Sequence, residues 1–361
     1  MIARKSFGAL AVFVSLCLLV GALAACGGNG GGAESPAGTE TAATGTDGGT
    51  AAETPRLEEI DLKIAHPHPA GSDADNTYQN IKKFADEYSD GAIQIEVFPA
   101  GSLVNSNEMF QSVLDGTVDI GHVVNADAAT AIPATSLLDV PGVIRPGIED
   151  MMKLIDPMQP LFERSGFRLL APTPLGPLDI LCDTKFIKTP ADMKGLTLRA
   201  TGKYVGEAVQ NWGGSPASIP LTDLPTALER HTVDAVLLDG LAVQMFKMYE
   251  NQQYVVKTKL QGAVSFVLMN LDKWNSLSPE HREIIQRAVN DATAAADGST
   301  TALVDQLDKE MAENGNDVYE LTDEETNVFL EAAKPALDAA IAAGGADGEA
   351  LYRETLKIRG E

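Results

Sequence analysis

Short apolar runs that favour strands alternate with amphipathic segments that favour helices over most of this chain. Residues 57–65 and 93–97 carry apolar side chains at every second position, as half-buried strands do. Between them, residues 78–88 carry apolar side chains at the three- and four-residue spacing of a helix. A helix capped by Asn105 or Ser106 and a strand over residues 118–124 complete a βαβαβ opening. This alternation predicts mostly parallel sheets covered by helices.

The alternation continues through the middle of the chain, and the last third becomes more helical. Further strands are predicted at residues 167–171, 179–182 and 233–238. A long helix is expected from Pro279 to about Leu307, with Ser278 as its N-cap. The predicted fold class is therefore α/β, with two lobes that have mixed sheets, a cleft between the lobes and long C-terminal helices.

The length of the chain, 361 residues, is enough for two lobes. We expect residues 57–361 to form both, with the lobes interleaved in the sequence and crossing segments near residues 180–185 and 264–275. Thr322 followed by Glu325 predicts a capping box at the start of another helix in the last third.

The first 26 residues have the order of a secretory signal. Two basic residues precede an apolar run from Phe7 to Val20, and small residues lead to Cys26. An uncleaved membrane helix is the alternative, because residues 7–25 are just long enough to span a bilayer. The sequence Leu-Ala-Ala-Cys that ends at Cys26 resembles the bacterial lipobox, in which the cysteine is diacylated and becomes the mature N-terminus. We therefore predict a lipoprotein signal peptide over residues 1–25 and an exported chain, at the cell surface or in the periplasm, anchored to the cell membrane by lipid on Cys26.

Residues 26–56 are predicted to be a flexible tether between the lipid and the lobes. Nine of the 24 residues from 27 to 50 are glycine, and no aromatic residue lies between Phe13 and Tyr78. Such a segment cannot bury enough apolar surface to fold.

The charge of the chain excludes some partners. There are 27 Lys and Arg residues against 51 Asp and Glu residues, which gives a formal net charge of −24. This charge repels the phosphates of nucleic acids and anionic lipid surfaces. An anionic ligand would have to be held by a local cation, so a small molecule is the expected partner and nucleic acid is not.

The three cysteines leave no intramolecular disulfide in the mature chain. Cys17 is removed with the signal and Cys26 carries lipid, so Cys182 is alone in the folded part. We interpret Cys182 as a small buried residue rather than a catalytic thiol, because no paired histidine is suggested nearby.

The sequence contains no G-x-S-x-G elbow, P-loop, His-Glu-x-x-His or paired Cys-x-x-Cys. His66 and His68 could share a strand face and bind a metal, but no third ligand has clear spacing. A prolyl turn with exposed imidazoles is the favoured interpretation, and Asp73 and Asp75 are expected to begin a helix. No enzymatic activity, cofactor or metal is therefore predicted.

Five segments resemble one protein family in the right order. The string Gly-Ala-Ile-Gln-Ile-Glu-Val-Phe-Pro-Ala-Gly-Ser-Leu at residues 91–103 is similar to the G-x-I-x-I-x-V-x-P-x-G-x-L signature of solute-binding proteins of TRAP (tripartite ATP-independent periplasmic) transporters, the DctP-like family. The other four matching segments begin at Val113, Pro190, Gly213 and Met269. Together the resemblance covers roughly residues 60–350.

The resemblance implies a periplasmic-binding-protein-like fold and a receptor that closes on a small organic acid and delivers it to TRAP membrane permease subunits. It also implies that Arg199 is the family's signature arginine, which grips the ligand carboxylate; a structural pairing with an acidic neighbour is the alternative. The further candidate ligand-binding residues are Asn125, Trp212, Asp239, His66 and Asn270. Trp212 and Tyr204 could stack on a ligand, although each also fits the core of a lobe.

Two departures from the family pattern bear on the ligand. Many members carry another arginine where this chain has none, in residues 175–180. Members also tend to have polar residues where residues 235–238 read Ala-Val-Leu-Leu, which suggests a more hydrophobic monocarboxylate or a ligand that is not a carboxylate. A sensory binding lipoprotein of the same fold is the alternative function, and an extracellular enzyme is disfavoured.

Overall fold

The computed structural model describes residues 56–145, 148–173, 176–219, 221–261 and 264–361. The predictions made for the signal peptide, for Cys26 and for almost all of the tether lie outside these residues. The described residues belong to one unit, Pro55–Glu361.

The described residues form eleven strands and ten α-helices. The strands are β1 (Ile60–Ala65), β2 (Ile93–Phe98), β3 (Ile120–Val124), β4 (Phe167–Pro172), β5 (Leu178–Cys182), β6 (Thr197–Arg199), β7 (Ser215–Ala217), β8 (Ala235–Asp239), β9 (Tyr254–Lys257), β10 (Ser265–Asn270) and β11 (Asp317–Glu320). The helices are α1 (Asp73–Tyr88), α2 (Ser106–Leu114), α3 (Asn125–Ala131), α4 (Glu149–Arg164), α5 (Lys203–Asn211), α6 (Leu224–Glu229), α7 (Gly240–Met245), α8 (Leu271–Ser276), α9 (Pro279–Asn314) and α10 (Asp323–Arg359).

The strands form two mixed sheets, one in each lobe. The first sheet has the order β2-β1-β3-β10-β4, with β1 parallel to β2 and β3, and β10 antiparallel to β3 and β4. The second has the order β11-β9-β5-β8-β6-β7, with β6 parallel to β8 and β5 antiparallel to β8. The α/β prediction with mixed sheets is confirmed.

Capping side chains mark the starts of helices α1, α9 and α10, as expected. The hydroxyl of Ser72 accepts a hydrogen bond from the backbone of Asp75 at the start of α1. Ser278 caps α9, whose first residue is Pro279, and α9 continues past the expected end at Leu307 to Asn314. Thr322 forms the predicted capping box at the start of α10.

Each sheet is covered on both faces. In the first lobe, Phe162 of α4 and Phe266 of β10 pack on one face, while Ile81 of α1 and Ile285 of α9 pack on the other. In the second lobe one core cluster contains Trp212 and Phe329, and the other contains Leu238 and Leu307. The large apolar area removed from water on both faces stabilises each lobe.

The two long helices contact both lobes. Ile285 of α9 packs in the first lobe and Leu307 in the second. Phe329 of α10 packs in the second lobe, while Ala340 and Leu351 pack in the first. Each helix therefore links the cores of the two lobes.

The chain changes sheets twice between β1 and β10. It leaves the first sheet after Pro172 and joins the second at Leu178, and it returns between Lys257 and Ser265. Both changes lie a few residues before the predicted crossings near residues 180–185 and 264–275. The reason is that residues 180–182 and 265–270 are still paired within β5 and β10.

Candidate ligand-binding site

Arg199 and Asp239 lie at one edge of the second sheet. Because β6 and β8 are parallel neighbours, the carboxyl ends of both strands meet at that edge, where open α/β sheets bind ligands. Arg199 is buried, and its Nε donates to the carbonyl oxygen of Ile219 at 3.3 Å. It forms no ion pair within 4 Å with any residue that the structure describes. Burial lowers the pKa of Arg199, and the nearby charge of Asp239 opposes this shift.

Asp239 is the N-cap of α7, where its Oδ1 accepts a hydrogen bond from the backbone of Ala242 at 3.0 Å. Burial raises the pKa of Asp239 to about 6, against the effects of the Ala242 hydrogen bond and of Arg199. Its carboxylate is therefore only weakly stabilised by Arg199, and the guanidinium keeps donors for another anion.

Residues 235–238 do not line the cleft. Ala235, Val236, Leu237 and Leu238 are all buried in the cores on the two faces of β8. They are apolar because the strand is covered on both sides. The suggestion of a more hydrophobic ligand, which rested on these residues, therefore has no support from their position.

Asn125 lies at the carboxyl end of β3, on the first-lobe side of the cleft. It is fully buried, its Nδ2 donates to the carbonyl oxygen of Thr135 at 2.9 Å, and its Oδ1 has no hydrogen-bond partner. Next to it, burial raises the pKa of Asp139 to about 7, although the Asn125 side chain opposes the shift. An unpaired buried oxygen is costly, which fits a position that a ligand or water completes.

The two lobes approach one another at Gly202, three residues after Arg199. A Cβ atom built on Gly202 would lie 3.5 Å from Oδ2 of Asp139 and 4.0 Å from the Cβ of Ala126. Gly202 also has a φ angle of 84°, in the region that favours glycine. The carboxyl end of β6 therefore faces the carboxyl end of β3 across the gap between the lobes.

A network of aromatic and acidic side chains occupies the carboxyl ends of β1 and β3. Nε2 of His66 lies 3.1 Å from Oδ1 of Asp75, and the hydroxyl of Tyr78 lies 2.7 Å from Nδ1 of His122. The ring of His66 stacks on Tyr78 at 4.2 Å, and the ring of His68 packs edge-on against His122 at 4.6 Å. We call these five residues the imidazole network.

The three histidines of the imidazole network are uncharged near neutral pH. Burial lowers the pKa of His66, although Asp75 opposes this, and it lowers the pKa of His68 to about 4 with the help of His66. Burial, with His68 and His66, lowers the pKa of His122 well below its usual value. No three His, Cys, Asp or Glu side chains in the described part of the chain are placed to bind one metal ion.

The expectation of a turn with exposed imidazoles is wrong for His66, which is fully buried, while His68 is half-buried. Asp75 does lie in the first turn of α1, as expected, but its carboxylate also binds His66. Because Ile64 pairs with Ile120 in parallel strands, residues 66 and 122 lie at the same level. A histidine two positions after each of these apolar residues was the signal that could have revealed the network.

Trp212 and Tyr204 lie in cores and not at the cleft surface. Trp212 is 2% exposed, its indole N–H donates to the carbonyl oxygen of Phe329 at 2.9 Å, and its ring meets that of Phe329 edge-on. Tyr204 is buried in a core cluster of the first lobe. The prediction of Trp212 as a ligand-binding residue is therefore corrected: a paired, buried indole stabilises the lobe.

Asn270 lies at the wrong edge of the first sheet to contact a ligand in the cleft. It ends β10, which runs antiparallel to β3, so it pairs near the start of β3 and about 15 Å from its end. Its Nδ2 donates to the carbonyl oxygens of Val113 and Leu114, and its Oδ1 caps α8 by accepting from Lys273. These contacts give Asn270 a structural role in joining α2, β10 and α8.

Cys182 agrees with its interpretation as a small buried residue. It is 1% exposed and unpaired, and its Sγ lies 3.6 Å from the hydroxyl of Thr184. Among the described helices, none is both long enough and apolar enough to cross a membrane.

Two lobes joined by crossing segments, with an arginine and buried polar groups facing each other across the gap, define the class of two-lobe solute-binding proteins. The profile of the DctP family, described as bacterial extracellular solute-binding protein, family 7, matches residues 64–343. The chain belongs to this family. It is an extracytoplasmic solute-binding receptor of the TRAP type, as the sequence resemblance indicated, and its family is one of receptors and not of enzymes.

One relative in sequence and two solved structures illustrate the similarity of this chain to solute-binding proteins. The 2,3-diketo-L-gulonate-binding periplasmic protein YiaO of Escherichia coli is 28% identical over 229 residues, which cover 61% of this chain and 70% of that protein. A TRAP periplasmic solute-binding protein of Ochrobactrum anthropi, solved with its C-terminus in the ligand-binding pocket, superimposes with a TM-score of 0.77 and 24% identity over 84% of this chain and 97% of its own. A further one, of Desulfovibrio salexigens with bound orotic acid, gives a TM-score of 0.76 and 23% identity over 83% and 100% of the two chains.

Proposed function

We propose that this protein captures a small organic acid between its lobes by hinge closure and delivers it to the membrane subunits of a TRAP transporter. The observation that carries the proposal is the position of Arg199: a buried guanidinium at the cleft edge of β6, with one hydrogen bond to a backbone oxygen and no carboxylate within 4 Å among the described residues. A planar fork of donors matches the two oxygens of a carboxylate.

The charge of the chain makes this local cation necessary. With a formal net charge of −24, the protein repels anions at long range, so affinity for an acid has to come from short-range contacts. The 2,3-diketo-L-gulonate-binding relative and the structure with bound orotic acid both hold organic acids, which supports the same ligand class here.

Native mass spectrometry of protein purified without added ligand tests the ligand class. We expect a fraction of the protein to carry one small molecule whose mass corresponds to an organic acid, and we expect Arg199→Ala protein to lose it. A bound neutral or cationic compound that survives this substitution would contradict the proposal.

Small-angle X-ray scattering tests the closure. Ligand that binds a closed form more tightly than the open form shifts the population towards the closed form. We expect a smaller radius of gyration at saturating concentrations of the acid identified by mass spectrometry, and an unchanged radius would argue against closure.

Transport measurements separate delivery from sensing. Proteoliposomes that contain the small and large membrane subunits of a TRAP transporter should accumulate the acid only when the receptor is added. A receptor that binds the acid without stimulating uptake would favour the sensory alternative.

We also propose that lipid on Cys26 anchors the receptor and that residues 26–56 hold the lobes away from the membrane. Cys26→Ser should release the protein from the membrane fraction, with Cys17→Ser as the matched control that leaves it there. A Cys26→Ser protein that stays bound would identify the signal as an uncleaved helix.

A further inference from the structure

A cavity of about 350 Å³ lies at the edge of the second sheet that is opposite to the cleft edge. Its lining includes Asp183, directly after β5, and Gln253, directly before β9. β8 begins at the same edge, because its first residue, Ala235, pairs with the last residue of β5. Asp239 lies at the other end of β8, about 13 Å away. The cavity is therefore separate from the candidate ligand-binding site.

The charged lining of the cavity is acidic. Asp183, Glu229 and Glu250 contribute carboxylates, and no Lys or Arg among the described residues lines it. The carboxylate of Glu250 lies 3.5 Å from the exposed ammonium of Lys247. Asp183 and Glu229 form no ion pair within 4 Å in the part of the chain that the structure describes. Two of the three carboxylates therefore have no cation of the protein beside them.

Gln252 adds a buried hydrogen-bond acceptor to the same wall. It lines the cavity and is 3% exposed. Its Nε2 donates to the carbonyl oxygen of Asn251 at 2.7 Å, which fixes the orientation of the amide, and its Oε1 has no hydrogen-bond partner. An unpaired buried oxygen is costly, so this position favours a ligand that supplies a donor.

The segment that carries Gln252 is held by two asparagines. Nδ2 of Asn316 donates to the carbonyl oxygens of Tyr249 and Gln252, at 2.9 and 2.8 Å. Nδ2 of Asn314, the last residue of α9, also donates to the carbonyl oxygen of Tyr249, at 3.1 Å. A wall fixed in this way loses little freedom when it binds a ligand.

A single metal ion does not fit this arrangement. No three His, Cys, Asp or Glu side chains of the described residues are placed to bind one ion. An organic cation can reach carboxylates that lie further apart, and its N–H groups supply the donor that Gln252 lacks. Leu228 and Tyr249 add apolar lining for a short alkyl chain, and the volume is that of a small-molecule site.

We infer that this cavity is a second binding site, separate from the cleft, for a small aliphatic amine: a compound that carries ammonium or guanidinium groups with N–H donors on a short alkyl chain. The carboxylates attract its charge, and Gln252 accepts one of its hydrogen bonds.

Three small cations separate charge from hydrogen bonding. Cadaverine has two primary ammonium groups on a five-carbon chain, and agmatine has one ammonium and one guanidinium group. Pentamethonium has the chain of cadaverine, but methyl groups replace every N–H. Calorimetric titration at pH 7.5 of wild type, Gln252→Leu, Glu229→Gln and Arg199→Ala with each cation is the test.

Two variants serve as matched controls. Glu331→Gln removes one carboxylate from the exposed surface of α10, where Glu331 pairs with Lys334. Gln210→Leu removes an exposed amide from α5, a helix that packs on the other face of the second sheet from Leu228 and Tyr249. The first control measures the effect of net charge alone, and the second measures the effect of a lost amide elsewhere.

We expect cadaverine or agmatine to bind wild type at least about tenfold more tightly than pentamethonium does. Gln252→Leu should weaken the tighter amine about tenfold, the loss of one hydrogen bond to a charged group, and should leave pentamethonium nearly unchanged. Glu229→Gln should weaken cadaverine and pentamethonium alike, by about threefold, because Glu229 is exposed. Arg199→Ala and both controls should change nothing.

Thermal melts show which variants fold. If Gln252→Leu does not fold, the double variant Asp183→Asn with Glu229→Gln gives the test, because both side chains are exposed. It should weaken cadaverine about tenfold.

Three results would overturn the inference: no binding of cadaverine or agmatine up to about 10 mM, a loss in Glu331→Gln equal to that in Glu229→Gln, or a loss of amine binding in Arg199→Ala. The second result would mean attraction by net charge alone, and the third would place the amine in the cleft. The proposed function stands or fails separately, because it is tested with acids.

Discussion

The second-lobe edge of the cleft carries a buried cation, whereas burial keeps the histidines of the first-lobe edge neutral. At the second edge a buried guanidinium, Arg199, lies near the carboxyl group of Asp239. At the first edge the histidines pair with Asp75 and Tyr78, and burial keeps them neutral. The difference teaches that the net charge of −24 says little about the site, because each edge sets its own local electrostatics through burial and pairing.

Removing the charge of the second edge should have the largest effect. Arg199→Ala leaves the ligand carboxylate without its partner, which typically costs about 2–5 kcal/mol, or roughly 30- to several-thousand-fold in Kd. Arg199→Lys keeps the charge but loses the fork of donors, so its affinity should fall between wild type and Arg199→Ala.

Calorimetric titration with the retained acid measures this series, and thermal melts of the ligand-free proteins are the control. Equal affinities in all three proteins, or a loss of ligand-free stability that explains the whole effect, would make Arg199 a structural residue.

The neutrality of the first edge can be tested through pH. Burial raises the pKa of Asp139 to about 7, so its protonated form is favoured in the folded state. Its folded pKa lies above its unfolded value, and the stability it contributes is therefore present below about pH 4 and lost as the pH rises towards 7. Asp139→Asn has no carboxyl group at this position, so its stability lacks this pH dependence and it serves as the reference.

Urea denaturation at pH 4.5 and pH 7.5 measures the effect. Relative to Asp139→Asn, wild type should lose about 1–2 kcal/mol of unfolding free energy between the two pH values, after allowance for solvent screening. A difference that stays constant, or that changes in the opposite direction, would show that the first edge is not kept neutral by burial.

The hydrogen bond between Tyr78 and His122 can be removed with almost no change in shape. Tyr78→Phe leaves a buried ring nitrogen unpaired, which should cost about 1–2 kcal/mol of unfolding free energy. Tyr88→Phe, in the same helix, removes a more exposed hydrogen bond to Asp291 and should cost less than about 0.5 kcal/mol. Urea denaturation of both proteins compares them, and equal losses would mean that the imidazole network adds nothing beyond an ordinary surface hydrogen bond.

Asn270 lies away from both edges, so its substitution should change stability but not ligand affinity. Asn270→Ala removes the N-cap of α8 and should lower the unfolding free energy by about 1 kcal/mol without changing ligand affinity. A thermal melt measures the stability of Asn270→Ala, and one calorimetric titration measures its ligand affinity. A clear loss of affinity would return Asn270 to the ligand site.

The sequence was sufficient for the class of fold but not for the full site. Strand and helix periodicity and the helix caps are local signals, and they predicted α/β lobes, the starts of α9 and α10 and the position of Arg199 at a strand end. The imidazole network joins residues 66, 78 and 122, which meet because β1 and β3 are neighbours in parallel. Asn270 was misplaced because periodicity does not reveal that β10 runs antiparallel.

The position of β10 also bears on how this chain can fold. β10 lies between β3 and β4 in the first sheet, yet every strand of the second sheet except β11 precedes it in sequence. The two halves of the first sheet therefore stay unjoined until residues 265–270 are available, and long-range pairing of this kind is slow. The first sheet of this extracytoplasmic protein can therefore be completed only after most of the chain is available.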